Sequence, residues 1–127
     1  MPPTKPTESE LEILQLLWEH GPVSVRFVHE ILEQQKEVGY TTTLKLMQIM
    51  AEKGLVTRDT SNRTHIYQAA VSEEGTQKNL LEKFVDSTFR GSAMKLVMQA
   101  LGNNKASKEE LEQIKDLIQK IEKEEKE

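Results

Sequence analysis

Between Tyr40 and His65 the chain carries two groups of side chains whose types and spacing suit contact with a polyanion. The first is Thr41, Thr42, Thr43, Lys45 and Gln48, with Lys53 one further turn along. Threonine and lysine can bond to phosphate oxygens or base edges, and a glutamine amide can pair bidentately with adenine. The second group is Arg58, Asn62, Arg63, Thr64 and His65, where a guanidinium can hold phosphates or enter a minor groove. The chain as a whole has net charge -4, which opposes such contact. Within residues 38–68, however, Lys45, Lys53, Arg58 and Arg63 face only Glu52 and Asp59, so positive charge is in local excess there. A solvated helix face with a threonine cap, followed by a polar turn, is the competing reading of these residues.

Other chemistries lack their groups. There is no Cys in the 127 residues, hence no disulfide and no thiolate metal site. His20, His29 and His65 are far apart and without a ligand spacing, so neither metal nor cofactor is expected. No Ser, His and Asp set, glycine-rich phosphate loop or convergent acid pair is recognisable, and the chain is not expected to be an enzyme. Met1 to Pro6 lacks a signal-peptide layout and no apolar run is long enough for a membrane span, which points to the cytoplasm and to no membrane insertion.

The elements that must hold the candidate residues follow from local signals. Thr7-Glu8-Ser9-Glu10 reads as a capping box opening a helix with Leu11, Leu14, Leu17 and Trp18 inward, stopped by His20-Gly21-Pro22. Ser24 should cap a second helix burying Phe27, Val28, Ile31 and Leu32. A third should begin in the threonine run, with one threonine as its cap, bury Leu46, Met47 and Met50, and end at Gly54. Its outward face then holds Lys45, Gln48 and Glu52, while Tyr40 can point either to the core or to DNA. Leu55 to Arg58 and His65 to Gln68 are β-prone runs around a turn, giving a hairpin. Three helices and a hairpin form the winged-helix layout, so residues 1–71 are expected to be a DNA-binding domain of mainly α, α+β type with the hairpin as its wing.

Residues 72–127 read as helix only, an all-helical domain. A helix from Gln77 to Phe89 carries Leu80, Leu81, Phe84 and Val85; another from Ala93 to Leu101 carries Leu96 and Val97. After a turn at Gly102-Asn103-Asn104, a second capping box, Ser107 to Glu110, launches Leu111, Ile114, Leu117, Ile118 and Ile121. Such a short stretch cannot enclose a core alone, so these faces are expected to close against a second copy, making a homodimer. Glu122 to Glu127, charged throughout, is expected to fray.

Several stretches together resemble the penicillinase-repressor family, regulators of the BlaI, MecI and CopY type. They are Glu12-Ile13-Leu14 through Leu17-Trp18, Tyr40-Thr41-Thr42-Thr43-Leu44-Lys45 through Glu52-Lys53-Gly54-Leu55-Val56, and the wing to Tyr67. Phe89-Arg90-Gly91-Ser92, Leu96-Val97 and Ser107 through Leu111 are similar to the family's dimerisation domain. The resemblance implies a homodimeric repressor on a double-stranded palindromic operator with TACA/TGTA half-sites, controlling resistance or stress-response genes. It also implies a membrane sensor protease as partner and cleavage at an Asn-Phe pair in the middle dimerisation helix, where this chain has Gln99-Ala100. Copper-sensing members carry a C-terminal cysteine pair, which this chain lacks. A winged helix that docks an acidic protein partner, with no operator, is the alternative.

Overall fold

The computed structural model describes residues 5–103 and 106–126. Chain order is α1 (Glu8–His20), β1 (Val23–Ser24), α2 (Val25–Gln35), α3 (Tyr40–Glu52), β2 (Val56–Asp59), β3 (Ile66–Ala69), α4 (Glu73–Phe89), α5 (Ala93–Asn103) and α6 (Lys108–Lys126). The chain divides into two compact units, residues 1–81 and 82–127. The first extends past the expected boundary at 71, and local bonding explains it. The Trp18 indole donates to the Val71 carbonyl at 2.9 Å, Val71 packs on the core, and Ser72 at once starts α4 by accepting the Gly75 N–H at 3.0 Å.

In the first unit the capping box at α1 is formed: the Thr7 N–H donates to Glu10 Oε1 at 2.9 Å and the Glu10 N–H to Thr7 Oγ1 at 3.2 Å. Gly21, at φ +81°, stops the helix in a conformation that a side chain would strain. Ser24 caps α2 through the Phe27 N–H. Ile13, Leu14 and Leu17 of α1 meet Val25, Val28 and Leu32 of α2, Met47 and Met50 of α3, and Leu55, Val56 and Tyr67 of the sheet region in one apolar core. The hairpin pairs Val56 with Ala69 and Asp59 with Ile66, and a third strand joins it, since Val23 pairs with Tyr67 and Ser24 with Ile66. The order is therefore β1-β3-β2, all antiparallel. With its three helices and hairpin, this is the expected α+β winged-helix layout.

Helix α2 turns differently from the sequence expectation. Its inward residues are Val25, Val28, His29 and Leu32, whereas Phe27 is exposed and stands edge-on to His20, ring centroids 5.1 Å apart. Starting the helix at Val25 sets this phase, because Val25, Val28 and Leu32 are then the i, i+3, i+7 stripe.

One ion pair ties the two ends of the α1 and α3 packing together. Lys53 Nζ lies 2.7 Å from Oε1 of Glu10, whose side chain is almost fully buried. Burial pushes the Glu10 carboxyl up, but the Lys53 ammonium and the Thr7 N–H outweigh it and hold the group below the ordinary glutamate value of 4.5. A depressed folded-state value means the pair contributes fully above 4.5 and that its contribution is lost as pH falls through the folded-state value. Lys53→Met should therefore cost about 1 to 3 kcal/mol at neutral pH, a penalty that shrinks with acidification. Urea unfolding of both proteins at neutral and at acid pH checks this; a penalty independent of pH contradicts it.

In the second unit, Arg90 (φ +52°) and Gly91 (φ +83°) end α4, and the Gly91 N–H returns to the Val85 carbonyl at 3.0 Å. The Ser107 capping box is formed, with Ser107 N–H to Glu110 Oε1 at 3.0 Å and Glu110 N–H to Ser107 Oγ at 3.1 Å. Two expectations need correcting. Helix α5 continues through Gly102 and Asn103, with Asn104 outside the described residues. Helix α6 runs on to Lys126, so the charged end is helical, as Glu and Lys are good helix formers. Glu127, like Met1 to Thr4, lies outside the described residues. Among the described residues no helix is long and apolar enough to cross a membrane.

Candidate nucleic-acid interface

Helix α3 divides cleanly into two sides. Thr43, Met47 and Met50 face the core and are inaccessible to solvent. Thr41, Thr42, Lys45, Gln48, Ile49 and Glu52 are exposed, and at about 100° per residue they fall on one arc centred on Lys45. This arc offers two hydroxyls, one ammonium, one amide and one carboxylate, a set able to bond both to phosphates and to base edges. Gly39 is the N-cap, in extended backbone, and no side chain caps the helix. The threonines therefore sit inside the first turn and none is the cap. The Thr42 and Thr43 N–H groups donate to the Gly39 carbonyl at 3.1 and 3.2 Å, which leaves those of Tyr40 and Thr41 to favour an anion at the helix start.

Thr43 is the candidate the fold withdraws. Its hydroxyl is hydrogen-bonded to His29 Nδ1 at 3.1 Å inside the α2–α3 packing, so it orients the helix rather than meeting a ligand. The other ring nitrogen, His29 Nε2, lies 3.0 Å from Glu33 Oε2. Lys53 is likewise committed, its ammonium paired with Glu10 as described above. Thr43 is lost to the core side of the helix, and Lys53, at the C-cap of α3, to its ion pair.

A pair that sequence reasoning missed lies at the start of α3. Tyr40 is exposed at 42%, held edge-on by the His29 ring (centroids 5.5 Å apart), with the Arg26 guanidinium 5.8 Å from its own ring centroid. Arg26, on α2, is exposed and adds a second cation at the start of α3. Only the proximity of α2 reveals this; fourteen residues of sequence separate the two side chains.

The hairpin leads straight out of α3. Gly54, at φ +83°, turns the chain, and the Leu55 N–H donates to the Met50 carbonyl at 2.9 Å, after which β2 packs on α3. At the tip, Asp59 Oδ1 accepts the Ser61 N–H at 2.9 Å. Bonds from the Ser61 side chain and backbone hold the Asp59 carboxyl below the usual carboxylate range, so the aspartate stays charged and the turn closed at neutral pH. Arg58, Asn62, Arg63, Thr64 and His65 are all exposed. The fold thus presents Thr41, Thr42, Lys45 and Gln48 on one helix face, and Arg58, Arg63, Thr64 and His65 on the hairpin.

Comparison with known proteins agrees with this layout. A family model described as penicillinase repressor matches residues 6–120. The methicillin resistance regulatory protein MecI of Staphylococcus aureus strain N315 is 21% identical over 114 residues, covering 90% of this chain and 93% of the relative. The transcriptional regulator BlaI of Mycobacterium tuberculosis strain CDC 1551 / Oshkosh is 28% identical over 108 residues, covering 81% and 78% respectively. The penicillinase repressor of Bacillus licheniformis is 19% identical, with 89% and 88% covered. Among solved structures, the solution structure of the DNA-binding domain of the repressor BlaI aligns with a TM-score of 0.50 at 19% identity, over 54% of this chain and 84% of that one.

Proposed function

The chain belongs to the penicillinase-repressor family, and on that premise we propose that it is a homodimeric, sequence-specific transcriptional repressor that occludes promoters by binding a palindromic operator with TACA/TGTA half-sites. Resistance or stress-response genes are the proposed targets. The observation that carries the reading is the exposed arc of α3: hydrogen-bonding side chains and one cation stand opposite a buried apolar stripe, so the helix offers its polar face to a groove while the core holds it still. In this reading α3 enters the major groove, with Gln48 on a base edge and Lys45 on a phosphate. Arg58, Arg63, Thr64 and His65 lie along the neighbouring backbone.

The proposed dimer closes through apolar side chains of α4, α5 and α6. Leu81, Phe84, Val97, Leu111, Leu117, Ile118 and Ile121 are each more than 40% exposed, while Leu80, Leu96 and Ile114 are half-buried and Val85 is buried within the chain. A second copy covering these faces would also join two readers, which a weakly charged module needs for tight binding at physiological salt. Selection from random duplexes with the full chain tests the function. Enrichment of a palindrome supports it. Retention of DNA without any enriched sequence, or no retention at low salt, favours the protein-docking alternative.

Release by a membrane sensor protease at the family's position would require a cut between Gln99 and Ala100, which are exposed on α5. The pair lacks the aromatic that such a site presents, and coexpression with a sensor of this class should leave the chain intact by mass spectrometry. A specific cut between Gln99 and Ala100 upon induction contradicts this.

A further inference from the structure

Ile49 is an apolar, β-branched side chain on the otherwise polar arc of α3. It is 36% exposed and stands one turn beyond Lys45, while its neighbours Met47 and Met50 are wholly buried. It is not among the residues that form or pack against the apolar core, and helix propensity gives no reason for a β-branched residue there. On a face suited to a major groove, the one apolar group that DNA offers is the C5-methyl of thymine. We propose that Ile49 is a specificity-determining residue that packs on a thymine methyl in each half-site. It lies about 100° around the helix from Gln48, so the two address different base pairs, Gln48 by hydrogen bonds and Ile49 by apolar contact. A sec-butyl group set against guanine or cytosine leaves their groove donors and acceptors without partners, so the contact also selects against G·C at that position. This inference rests on the proposed operator-binding function.

The test uses the full chain and the duplex enriched by selection. Each thymine is replaced in turn by deoxyuridine, which removes the methyl and leaves every hydrogen-bonding group in place. One symmetry-related pair of thymines should respond, with affinity falling about fourfold per methyl and about 15-fold when both half-sites are changed, as expected for one apolar carbon per contact. Ile49→Ala should bind the thymine and deoxyuridine duplexes alike, and Ile49→Val, which keeps both γ positions filled, should retain most of the difference. Deoxyuridine effects that are the same in wild type and Ile49→Ala at every position overturn the proposal. Failure to select any operator would instead remove the functional reading on which it rests.

Discussion

Leu117→Asp should convert the assembled protein to monomer at concentrations where the wild type is fully associated. Leu117 lies on α6 on one face with Ile114, Ile118 and Ile121 and is 56% exposed in the single chain, so most of its side chain is open to a partner. If these side chains form the seam between two copies, each dimer acquires two buried carboxylates without a partner. A buried charge left unpaired costs about 3 to 5 kcal/mol, so two cost about 6 to 10 kcal/mol, which corresponds to a dissociation constant raised about 10⁴- to 10⁷-fold. Operator affinity should fall with it by about 10²- to 10⁴-fold, the gain that linking two modules ordinarily provides. Sedimentation velocity and operator titration read both effects, and circular dichroism checks that the helices persist. A variant that sediments like the wild type would place the seam elsewhere.

Much of this architecture is legible from local sequence because its signals are local. Thr7 with Glu10, Ser24 ahead of Phe27, and Ser107 with Glu110 are caps closed within three residues, and each forms where the residue types call for it. The change from helical to alternating period at Leu55 likewise marks the hairpin. What the residues conceal is settled by partners distant along the chain. Strand β1 is two residues long and exists only because Tyr67 and Ile66 lie alongside it. Thr43 is a threonine like Thr41 and Thr42, but the core packing of α3 buries it beside Met47 and Met50, and His29, fourteen residues earlier, satisfies its hydroxyl. Lys53 is indistinguishable from a phosphate-binding lysine until Glu10, 43 residues away, is seen beside it. Charged and hydroxyl side chains are the least legible, since their roles depend on which face the helix turns outward, and packing fixes that.

Gln48→Ala and Arg63→Ala should separate the two parts of the interface. Gln48 carries no charge and lies on the α3 arc, so removing its amide deletes base-edge hydrogen bonds worth about 1 to 3 kcal/mol per half-site, and about twice that for a symmetric dimer. Binding to arbitrary DNA should hardly change. Arg63 is exposed at the hairpin tip, and its loss should weaken binding to every duplex alike, lowering the salt dependence by about one released ion per subunit. Thr43→Val, by contrast, should act through stability, because it leaves His29 Nδ1 without its partner.

The most direct test of α3 as the sequence reader is a salt titration of affinity for operator and scrambled duplexes with wild type, Gln48→Ala and Arg63→Ala. The expected result is that Gln48→Ala collapses the preference for operator at an unchanged salt slope, while Arg63→Ala lowers the slope and leaves the preference intact. If Gln48→Ala weakened both duplexes equally, or neither substitution mattered, α3 would not be the surface that reads sequence.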